Sequence, residues 1–446
     1  MFNYLKEKTS RNPWFYIPSQ YFAEGIPFVL VNQLSVAMYK SLDATNEFIG
    51  MTSFLYLPWS LKFLWSPAVD ATSTKRQWVL TLHLILSLFF VFLGCGLGFP
   101  SFLTISLVLF TLIAFCSATH DIVIDGYYLH ALNKKEQAFF SGIRNTFYRF
   151  AMIFAGGILI TLAGRIKEMT GHVIQGWSAA FYIASFIFLV LFFYHRFILP
   201  YPVTDSPVHA TKSRLPYKQI FREYFGQRQI GVILSFILLF RFGEGLLLKM
   251  VQPFFLDKTA AGGMNLGLEE VGIMYGTIGI SALIIGGILG GWLIKKYGLK
   301  KMIWPFTLCM HLPNLLFVYL AVCHPLLEWN FSLNWAARLF DSGTWMVKTH
   351  PVLLGVVMTE QFGYGLGFTG FMVYLLYLAR GEFKTSHYAI STGLMAVGIM
   401  VPGFLSGLIQ AKLGYTWLFI ISCITTIPGM VCIFFLPFDE DKLHQN

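Results

Sequence analysis

Long runs of apolar residues constrain the fold of this chain more than any other feature of its sequence. Examples are residues 78–99, 102–116, 179–193 and 417–435. A helix needs about 20 such residues to cross a membrane. Of the 446 residues, 56% are hydrophobic and only 12% are charged, whereas soluble domains carry about 25% charged residues. A soluble fold could not bury this much apolar surface, so we expect an all-α membrane protein.

The apolar pattern predicts about twelve transmembrane helices. They cover residues 14–39, 46–70, 77–98, 101–129, 139–164, 176–199, 229–256, 268–294, 302–323, 351–379, 387–412 and 415–437. The first of these follows Lys6, Lys8 and Arg11, as in a signal peptide. Pro18 and Glu24 interrupt it and it runs beyond 20 residues, so we interpret it as a retained first helix.

The positive charges indicate orientation and partners. Nineteen Lys and Arg residues fall in segments predicted inside and seven in loops predicted outside, which places both termini in the cytoplasm. The net charge of +10 is spread over short loops, so we expect the lipid bilayer as partner and no nucleic acid. The six cysteines form no C-x-x-C pair, and we predict no metal and no cofactor.

The chain divides into two similar halves. Residues 1–200 and 229–446 each contain six predicted helices, and the polar, basic segment 201–228 links them as a cytoplasmic linker. Residues 21–26 (YFAEGI) in helix 1 match residues 241–246 (RFGEGL) in helix 7. Two parallel repeats of this kind are typical of the major facilitator fold. We therefore predict two six-helix bundles and a monomer.

Glycines and tryptophans mark two further regions. The glycines of helix 8 (Gly286, Gly287, Gly290, Gly291) and of helix 10 (Gly363, Gly365, Gly367, Gly370) indicate close helix packing rather than a nucleotide-binding loop, because no strand precedes them. The outside loop 324–350 contains Trp329, Trp335, Phe340 and Trp345. We expect an interfacial helix there, or a surface lid without chemistry.

Charged side chains at membrane depth cost several kcal/mol, so each needs a partner or a function. They are Glu24, Lys62, Asp70, Asp121, Asp125, Arg144, Arg149, Arg241, Glu244, Lys249 and Glu360. Asp121 and Asp125 share one face of helix 4, with His120 beside them. Two carboxylates in an apolar setting favour binding of a proton, so the pair is the strongest candidate for proton coupling. The alternative is static pairing with Arg144 or Arg149.

The repeats add candidates on helices 1, 7 and 10. Glu24 and Glu244 occupy matching positions of the two halves. Arg241 stands three residues before Glu244, a spacing at which the two charges can neutralise each other. Glu360 in helix 10 either joins the site or is buried with a hydrogen-bond partner. With Asp121, Asp125, His120, Lys62, Arg144 and Arg149, these residues form the predicted site for protons and substrate.

An inside gate is predicted at the ends of helices 2, 3 and 8. Residues 291–301 (GWLIKKYGLKK) fit the major facilitator loop pattern G-x-L-x-D-R-x-G-R-K, with Lys295 replacing the acidic residue. The residues concerned are Gly291, Lys295, Lys296 and Gly298, with Asp70, Lys75 and Arg76 in the first half. The alternative is that the basic residues only determine topology.

Two segments of the sequence are specific enough to indicate a family. Residues 62–70 (KFLWSPAVD) and 114–125 (AFCSATHDIVID) resemble signature stretches of the AmpG-type muropeptide permeases. The resemblance implies proton-driven import of anhydro-muropeptides, which are amino-sugar peptides, across the inner membrane of Gram-negative bacteria. It also implies that Asp121 and Asp125 correspond to the family's acidic pair on helix 4, and Lys62 to its lysine on helix 2.

Side-chain chemistry fits a bulky polar substrate. Tyr56, Trp59, Trp65, Tyr127 and Tyr148 could stack on sugar rings, while Lys62, Arg144 and Arg149 could hold carboxylates; the alternative for the aromatic residues is packing.

Other functions remain open at this stage. The substrate could instead be another amino-sugar oligosaccharide or an acyl-CoA. A D-x-x-x-D pair also occurs in membrane-embedded transferases that bind Mg²⁺, but the nearby arginines suit an anion better than a metal. We therefore predict a transporter and not an enzyme. A non-transporting sensor is a third class, for which no signalling domain is visible.

Overall fold

The computed structural model describes residues 11–202, 205, 217–324, 328–332, 346–379 and 384–438. Within them, eight helical stretches are long and apolar enough to cross a membrane. One of these, His387–Phe435, contains two helices, because the chain bends at Gly414, where φ is +79°. The all-α membrane class expected from the sequence is confirmed.

The first half contains helices 1 to 6, close to the predicted boundaries. Helix 1 comprises Ile17–Val29, Leu30–Leu34 and Ser35–Ser41; helix 2 Asn46–Met51, Thr52–Tyr56, Leu57–Leu61, Lys62–Leu64 and Ser66–Thr72; helix 3 Lys75–Gly96; helix 4 Phe102–Ala131; helix 5 Lys134–Ile153, Phe154–Ile158 and Leu159–Thr170; helix 6 Val173–Ile198. Helix 2 is segmented because Pro58 and Pro67 lack the N–H that a continuous helix needs. Lys62 therefore lies in a short 3₁₀ turn between two α-helical segments.

The second half contains helices 7 to 12. Helix 7 comprises Ile230–Leu239 and Phe242–Leu256; helix 8 Leu268–Val271, Gly272–Gly279 and Ile280–Tyr297; helix 9 Leu299–His311 and Asn314–Cys323; helix 10 Pro351–Leu378; helices 11 and 12 together Lys384–Cys432. A short helix, Tyr217–Phe225, lies within the predicted linker 201–228. The linker residues 203–204 and 206–216 lie outside the described part of the chain.

Contacts between residues divide the chain into two compact units. Unit 1 comprises Met1–Tyr39 and Leu55–Leu215, and unit 2 comprises Lys40–Phe54 and Pro216–Asn446. The last two residues of helix 1 and the first part of helix 2 thus belong to unit 2. The domain limits at residues 200 and 229 stay a prediction.

The glycines of helices 8 and 10 allow close approach between helix backbones. A Cβ atom on Gly363 would lie 1.9 Å from the carbonyl oxygen of Cys309 in helix 9, and one on Gly286 would lie 2.2 Å from that of Phe362 in helix 10. Both distances are far below van der Waals contact. The packing role predicted for these glycines is confirmed, although Gly291 has no neighbour within 4 Å.

The loop 324–350 contains a β-hairpin in its described part. Strands β1 (Trp329–Ser332) and β2 (Met346–Thr349) pair antiparallel, with Trp329 opposite Thr349. The expectation of an interfacial helix is wrong for these residues, because apolar and polar side chains alternate with period two in β1. Trp335, Phe340 and Trp345 lie outside the described residues.

Candidate functional site

Charged residues of helices 2 and 4 meet in unit 1. Lys62 Nζ lies 3.5 Å from Asp121 Oδ2, and their side chains are 36% and 13% exposed. The 3₁₀ turn of helix 2 positions Lys62 for this contact. The buried carboxylate of Asp121 therefore has a cationic partner, while Lys62 keeps part of its surface accessible.

Asp125, one turn further along helix 4, binds residues of helices 1 and 5. Arg144 Nη1 lies 3.3 Å from Asp125 Oδ1, and the Tyr21 hydroxyl donates a hydrogen bond of 2.9 Å to the same oxygen. Arg144 Nη1 also donates to Tyr21 Oη at 3.3 Å. The ion pair considered for helices 4 and 5 thus forms at Asp125, which is 50% exposed.

Glu24 differs from both aspartates. It lies on helix 1, only 8% exposed, and electrostatic interactions link it to Asp121, Asp125, Lys62 and Arg144. Its Oε2 atom is buried and receives no hydrogen bond from any described residue. Glu24 therefore belongs to the same charged cluster, but no cation contacts it in the described chain.

Four aromatic side chains lie beside these charges. The ring of Phe28 lies 5.6 Å from that of Tyr56, 5.1 Å from Trp59 and 6.3 Å from Tyr148, measured between centroids. We call Phe28, Tyr56, Trp59 and Tyr148 the aromatic cluster. Trp59 lies near the Asp121 carboxyl group, and its Nε1 is buried without a hydrogen-bond partner among the described residues. The aromatic cluster thus adjoins the Lys62–Asp121 pair.

Not every aromatic candidate joins this cluster. Trp65 Nε1 donates to Thr119 Oγ1 at 3.1 Å, and the Tyr127 hydroxyl donates to the carbonyl of Pro200 at 2.8 Å. The polar groups of both side chains thus form hydrogen bonds within the protein. Phe28 was not among the sequence candidates, although its position one helical turn after Glu24 could have indicated it.

In unit 2, Arg241 and Glu244 neutralise each other, as their spacing predicted. Arg241 Nη2 lies 2.6 Å from Glu244 Oε1, and Nε lies 3.2 Å from Oε2. Arg241 Nη2 also donates to the Tyr364 hydroxyl at 2.7 Å, and its guanidinium lies 4.8 Å from the Phe368 ring centroid. Both charged side chains are almost fully buried. Arg241 is thus committed to contacts within the protein.

Glu360 has a neutral partner. It is 2% exposed, and its Oε2 accepts a hydrogen bond of 2.8 Å from Gln361 Nε2. Gln361 Nε2 also donates to Tyr275 Oη at 3.4 Å. Of the two interpretations considered for Glu360, the observed contact matches a buried acid with a hydrogen-bond partner.

His120 lies in a different environment from the aspartates. Its ring centroid lies 5.0 Å from that of His83 in helix 3, and His83 lies 5.0 Å from His195 in helix 6. All three imidazoles are fully buried, and His195 Nε2 pairs with Ser19 Oγ at 2.8 Å. Among the described residues, neither ring nitrogen of His120 forms a hydrogen bond, so His120 is not hydrogen-bonded to Asp121 or Asp125. Arg149 is half-buried on helix 5, and the transport roles of His120 and Arg149 stay predictions.

The candidate gate residues of helix 3 have structural partners. The backbone N–H groups of Lys75 and Arg76 donate to the two carboxylate oxygens of Asp205, at 2.7 and 3.0 Å. The Arg76 guanidinium donates to the carbonyls of Leu199 (3.2 Å) and Arg196 (2.7 Å). Arg76 and Asp205 thus join the start of helix 3 to the chain after helix 6. The sequence did not indicate Asp205.

The remaining gate candidates stay predictions. Gly298 ends helix 8 with φ +82°, a conformation that favours glycine. Lys296 Nζ lies 5.1 Å from the Trp292 ring centroid, while Lys295 and Gly291 lie earlier on the same helix. The side chain of Asp70 lies outside the described part of the structure. Nor does any group of three or more His, Cys, Asp or Glu among the described residues have the arrangement of a metal site.

A polar network within unit 2 was not foreseen from the sequence. Lys40 Nζ lies 2.6 Å from Asp257 Oδ1, and Tyr415 Oη donates to Asp257 Oδ2 at 2.5 Å. Asn46 Nδ2 donates to Gln410 Oε1 at 2.6 Å and to Tyr415 Oη at 3.0 Å, while Lys40 Nζ donates to Asn46 Oδ1 at 2.8 Å. We call these five residues the Lys40 network. It attaches the end of helix 1 and the start of helix 2 to helices 7, 11 and 12.

Comparison with known sequences places the chain in a family. The sequence profile of the Major Facilitator Superfamily matches residues 20–340. The anhydromuropeptide permease of Escherichia coli K12 is 24% identical over 421 residues, which cover 92% of this chain and 77% of that protein. The putative transporter AmpG 1 of Rickettsia bellii is 24% identical over 415 residues, covering 89% and 90%.

Solved structures agree with the fold. The nucleoside transporter NupG superposes with a TM-score of 0.63 at 13% identity and covers 96% of this chain and 100% of that one. A D-xylose-proton symporter gives a TM-score of 0.65 at 11% identity, with coverage of 94% and 96%. The resemblance to AmpG-type permeases noted in the sequence is confirmed. The chain is similar to AmpG-type permeases over most of its length; it belongs to the Major Facilitator Superfamily and is a multi-pass membrane transporter, not an enzyme.

Proposed function

We propose that this transporter imports anhydro-muropeptides from cell-wall turnover across the inner membrane into the cytoplasm, by proton-coupled alternating access. In this proposal the protein works as a monomer with both termini in the cytoplasm. The name of the Escherichia coli relative supports the substrate class. The observation that carries the proposal is the position of the aromatic cluster beside the Lys62–Asp121 pair, with the Arg144–Asp125 pair one turn further along helix 4.

The two cations of this site suit the acidic groups of the substrate. Lys62 and Arg144 are each about one-third exposed, although both contact an aspartate. A carboxylate of a lactyl or peptide group can replace the aspartate at such a cation, because the two acids have the same hydrogen-bonding geometry. Substrate binding would then release an aspartate carboxylate from its cation. In this way the binding of substrate would change the ion pairs within the protein.

The aromatic cluster suits the sugar part of the substrate. Aromatic faces pack against the C–H groups of a sugar ring, while the polar edges of Tyr and Trp can pair with its hydroxyl and amide groups. Tyr56, Trp59 and Tyr148 provide such edges within the cluster, next to the Lys62–Asp121 pair. One site can thus bind a sugar and a carboxylate together, as a muropeptide requires.

Uptake into proteoliposomes tests this proposal. We expect purified protein to accumulate labelled anhydro-muropeptide when the lumen is alkaline relative to the outside, and Asp125→Asn to lose at least tenfold in initial rate, because Arg144 loses its charged partner. Glu168→Gln is the matched control, since Glu168 is 56% exposed and its ion-pair partner is Arg165 at 3.7 Å, outside the charged cluster.

The outcomes separate the parts of the proposal. Uptake that ignores the pH gradient would contradict proton coupling. Absence of uptake for anhydro-muropeptide, together with uptake of an acyl-CoA or of a neutral oligosaccharide, would contradict the substrate class.

A further inference from the structure

The matching glutamates of the two sequence repeats differ in whether a cation stands three residues before them. In helix 7, Glu244 is neutralised by Arg241, three residues earlier. The position that matches Arg241 in helix 1 is Tyr21, so the first repeat lacks this cation. The Tyr21 hydroxyl donates a hydrogen bond to Asp125 instead. Glu24 therefore occupies the position of Glu244 in the second repeat. It lacks the neighbouring arginine that neutralises Glu244.

The charges around Glu24 do not balance if every group is ionised. Among the described residues, the charged groups that act most strongly on it are Asp121 and Asp125 from helix 4, Lys62 from helix 2 and Arg144 from helix 5. Tyr21 of helix 1 and Tyr148 of helix 5 are the neutral titratable neighbours. Three carboxylates thus face two cations. The cluster would carry one surplus negative charge, and a buried charge without a partner costs several kcal/mol.

Geometry shows which carboxylate is in surplus. Asp121 lies 3.5 Å from Lys62, and Asp125 lies 3.3 Å from Arg144 and also accepts from Tyr21. Among the described residues no cation contacts Glu24, and its Oε2 is buried without a donor. A proton on Glu24 removes the surplus charge without breaking either ion pair. A proton on Asp121 or Asp125 would leave a cation unpaired.

We propose that Glu24 is the proton-carrying residue of this transporter. This inference rests on the proposed proton-coupled import. The Glu24 carboxylate takes up a proton from the outside, which changes the charge of the cluster from minus one to zero, and it returns the proton on the cytoplasmic side. Lys62–Asp121 and Arg144–Asp125 stay ionised and serve the substrate.

The test compares two transport modes in proteoliposomes with labelled anhydro-muropeptide. Counterflow exchange at equal pH on both sides needs substrate binding but no net proton movement, whereas accumulation against a gradient needs the proton. Gln imitates the protonated acid. We therefore expect Glu24→Gln to keep counterflow within about twofold of wild type and to lose accumulation, with an inside-to-outside ratio near one. Glu24→Asp should restore accumulation at least in part.

An exposed acid of unit 1 is the control. Glu168 is 56% exposed and lies outside the charged cluster, so Glu168→Gln should accumulate substrate as the wild type does. Asp121→Asn should lose both modes, because it leaves Lys62 unpaired. Size-exclusion profiles of all variants, compared with wild type, show whether each variant is folded.

Each result decides between the claims. Wild-type protein that performs counterflow but never accumulates substrate overturns proton coupling and, with it, the role of Glu24. Accumulation by Glu24→Gln at the wild-type level overturns the role of Glu24 alone and leaves the proposed function intact. Loss of counterflow in folded Glu24→Gln would also contradict the inference, because Glu24 would then be needed for binding.

Discussion

The Lys40 network provides the sharpest test of how polar contacts stabilise unit 2. Lys40 and Asp257 lie 2.6 Å apart with side chains only 11% and 15% exposed. Replacing Lys40 by Met, or Asp257 by Asn, removes one charge and leaves the other largely buried. We expect each single variant to lose free energy of unfolding, and the double variant to lose less than the two singles together.

The magnitude follows from the burial of the pair. Removing one partner of a buried ion pair costs about 3–5 kcal/mol. The remaining exposure reduces this to about 2–4 kcal/mol, since water screens part of the leftover charge. In the double variant no charge stays unpaired, and the loss is limited to weakened hydrogen bonds from Tyr415 and Asn46, about 1 kcal/mol each. The coupling energy between Lys40 and Asp257 should therefore be at least about 2 kcal/mol.

The free energy of unfolding is measured for wild type, both single variants and the double variant by adding SDS to the purified protein in mixed micelles. These four values form the double-mutant cycle. Arg165 and Glu168 form the matched control pair, because they lie 3.7 Å apart and Glu168 is 56% exposed. Their coupling energy should stay below about 1 kcal/mol. A coupling energy for Lys40 and Asp257 no larger than that of the control pair would refute the reasoning.

Three further predictions concern packing, the aromatic cluster and a helix end. Gly363→Ala should lower the unfolding free energy by about 3 kcal/mol or more in the same SDS assay, because its Cβ would lie 1.9 Å from a carbonyl oxygen, whereas Gly291→Ala should change it by less than about 1 kcal/mol. Trp59→Phe should weaken binding of anhydro-muropeptide about tenfold in calorimetry, since it removes the indole N–H beside Asp121, while an equal loss in Trp65→Phe would contradict a specific role for Trp59. Asp205→Ala should cost about 1–2 kcal/mol of stability, because two backbone N–H groups at the start of helix 3 lose their acceptor; unchanged stability would show that water replaces it.

Features that depend on local spacing could be predicted from the sequence. Apolar runs about 20 residues long predicted the transmembrane helices, since the bilayer requires that length whatever surrounds a helix. The four-residue spacing of Asp121 and Asp125 placed both on one helix face, where the structure has both of their ion pairs. The Arg241–Glu244 pair likewise follows from positions on a single helix.

Features that depend on how helices face one another needed the tertiary structure. The sequence offered Arg144 and Arg149 as partners for either aspartate, but helix rotation and the 3₁₀ turn of helix 2 assigned Lys62 to Asp121 and Arg144 to Asp125. The position of His120 also depends on how its helix is oriented. It is adjacent to Asp121 in sequence, but neighbouring residues of a helix point about 100° apart, so His120 packs against His83.

Partners that are distant in the chain were beyond any sequence pattern. Lys40 and Asp257 are separated by more than two hundred residues, and Tyr415 and Gln410 complete their network from helices 11 and 12. Composition and periodicity showed that this chain crosses the membrane and which residues are costly to bury there. Only the packed structure decided which of these charges find a partner and that Glu24 has no cationic partner among the described residues. The physical reason is that a partner is determined by distance in space rather than by distance along the chain.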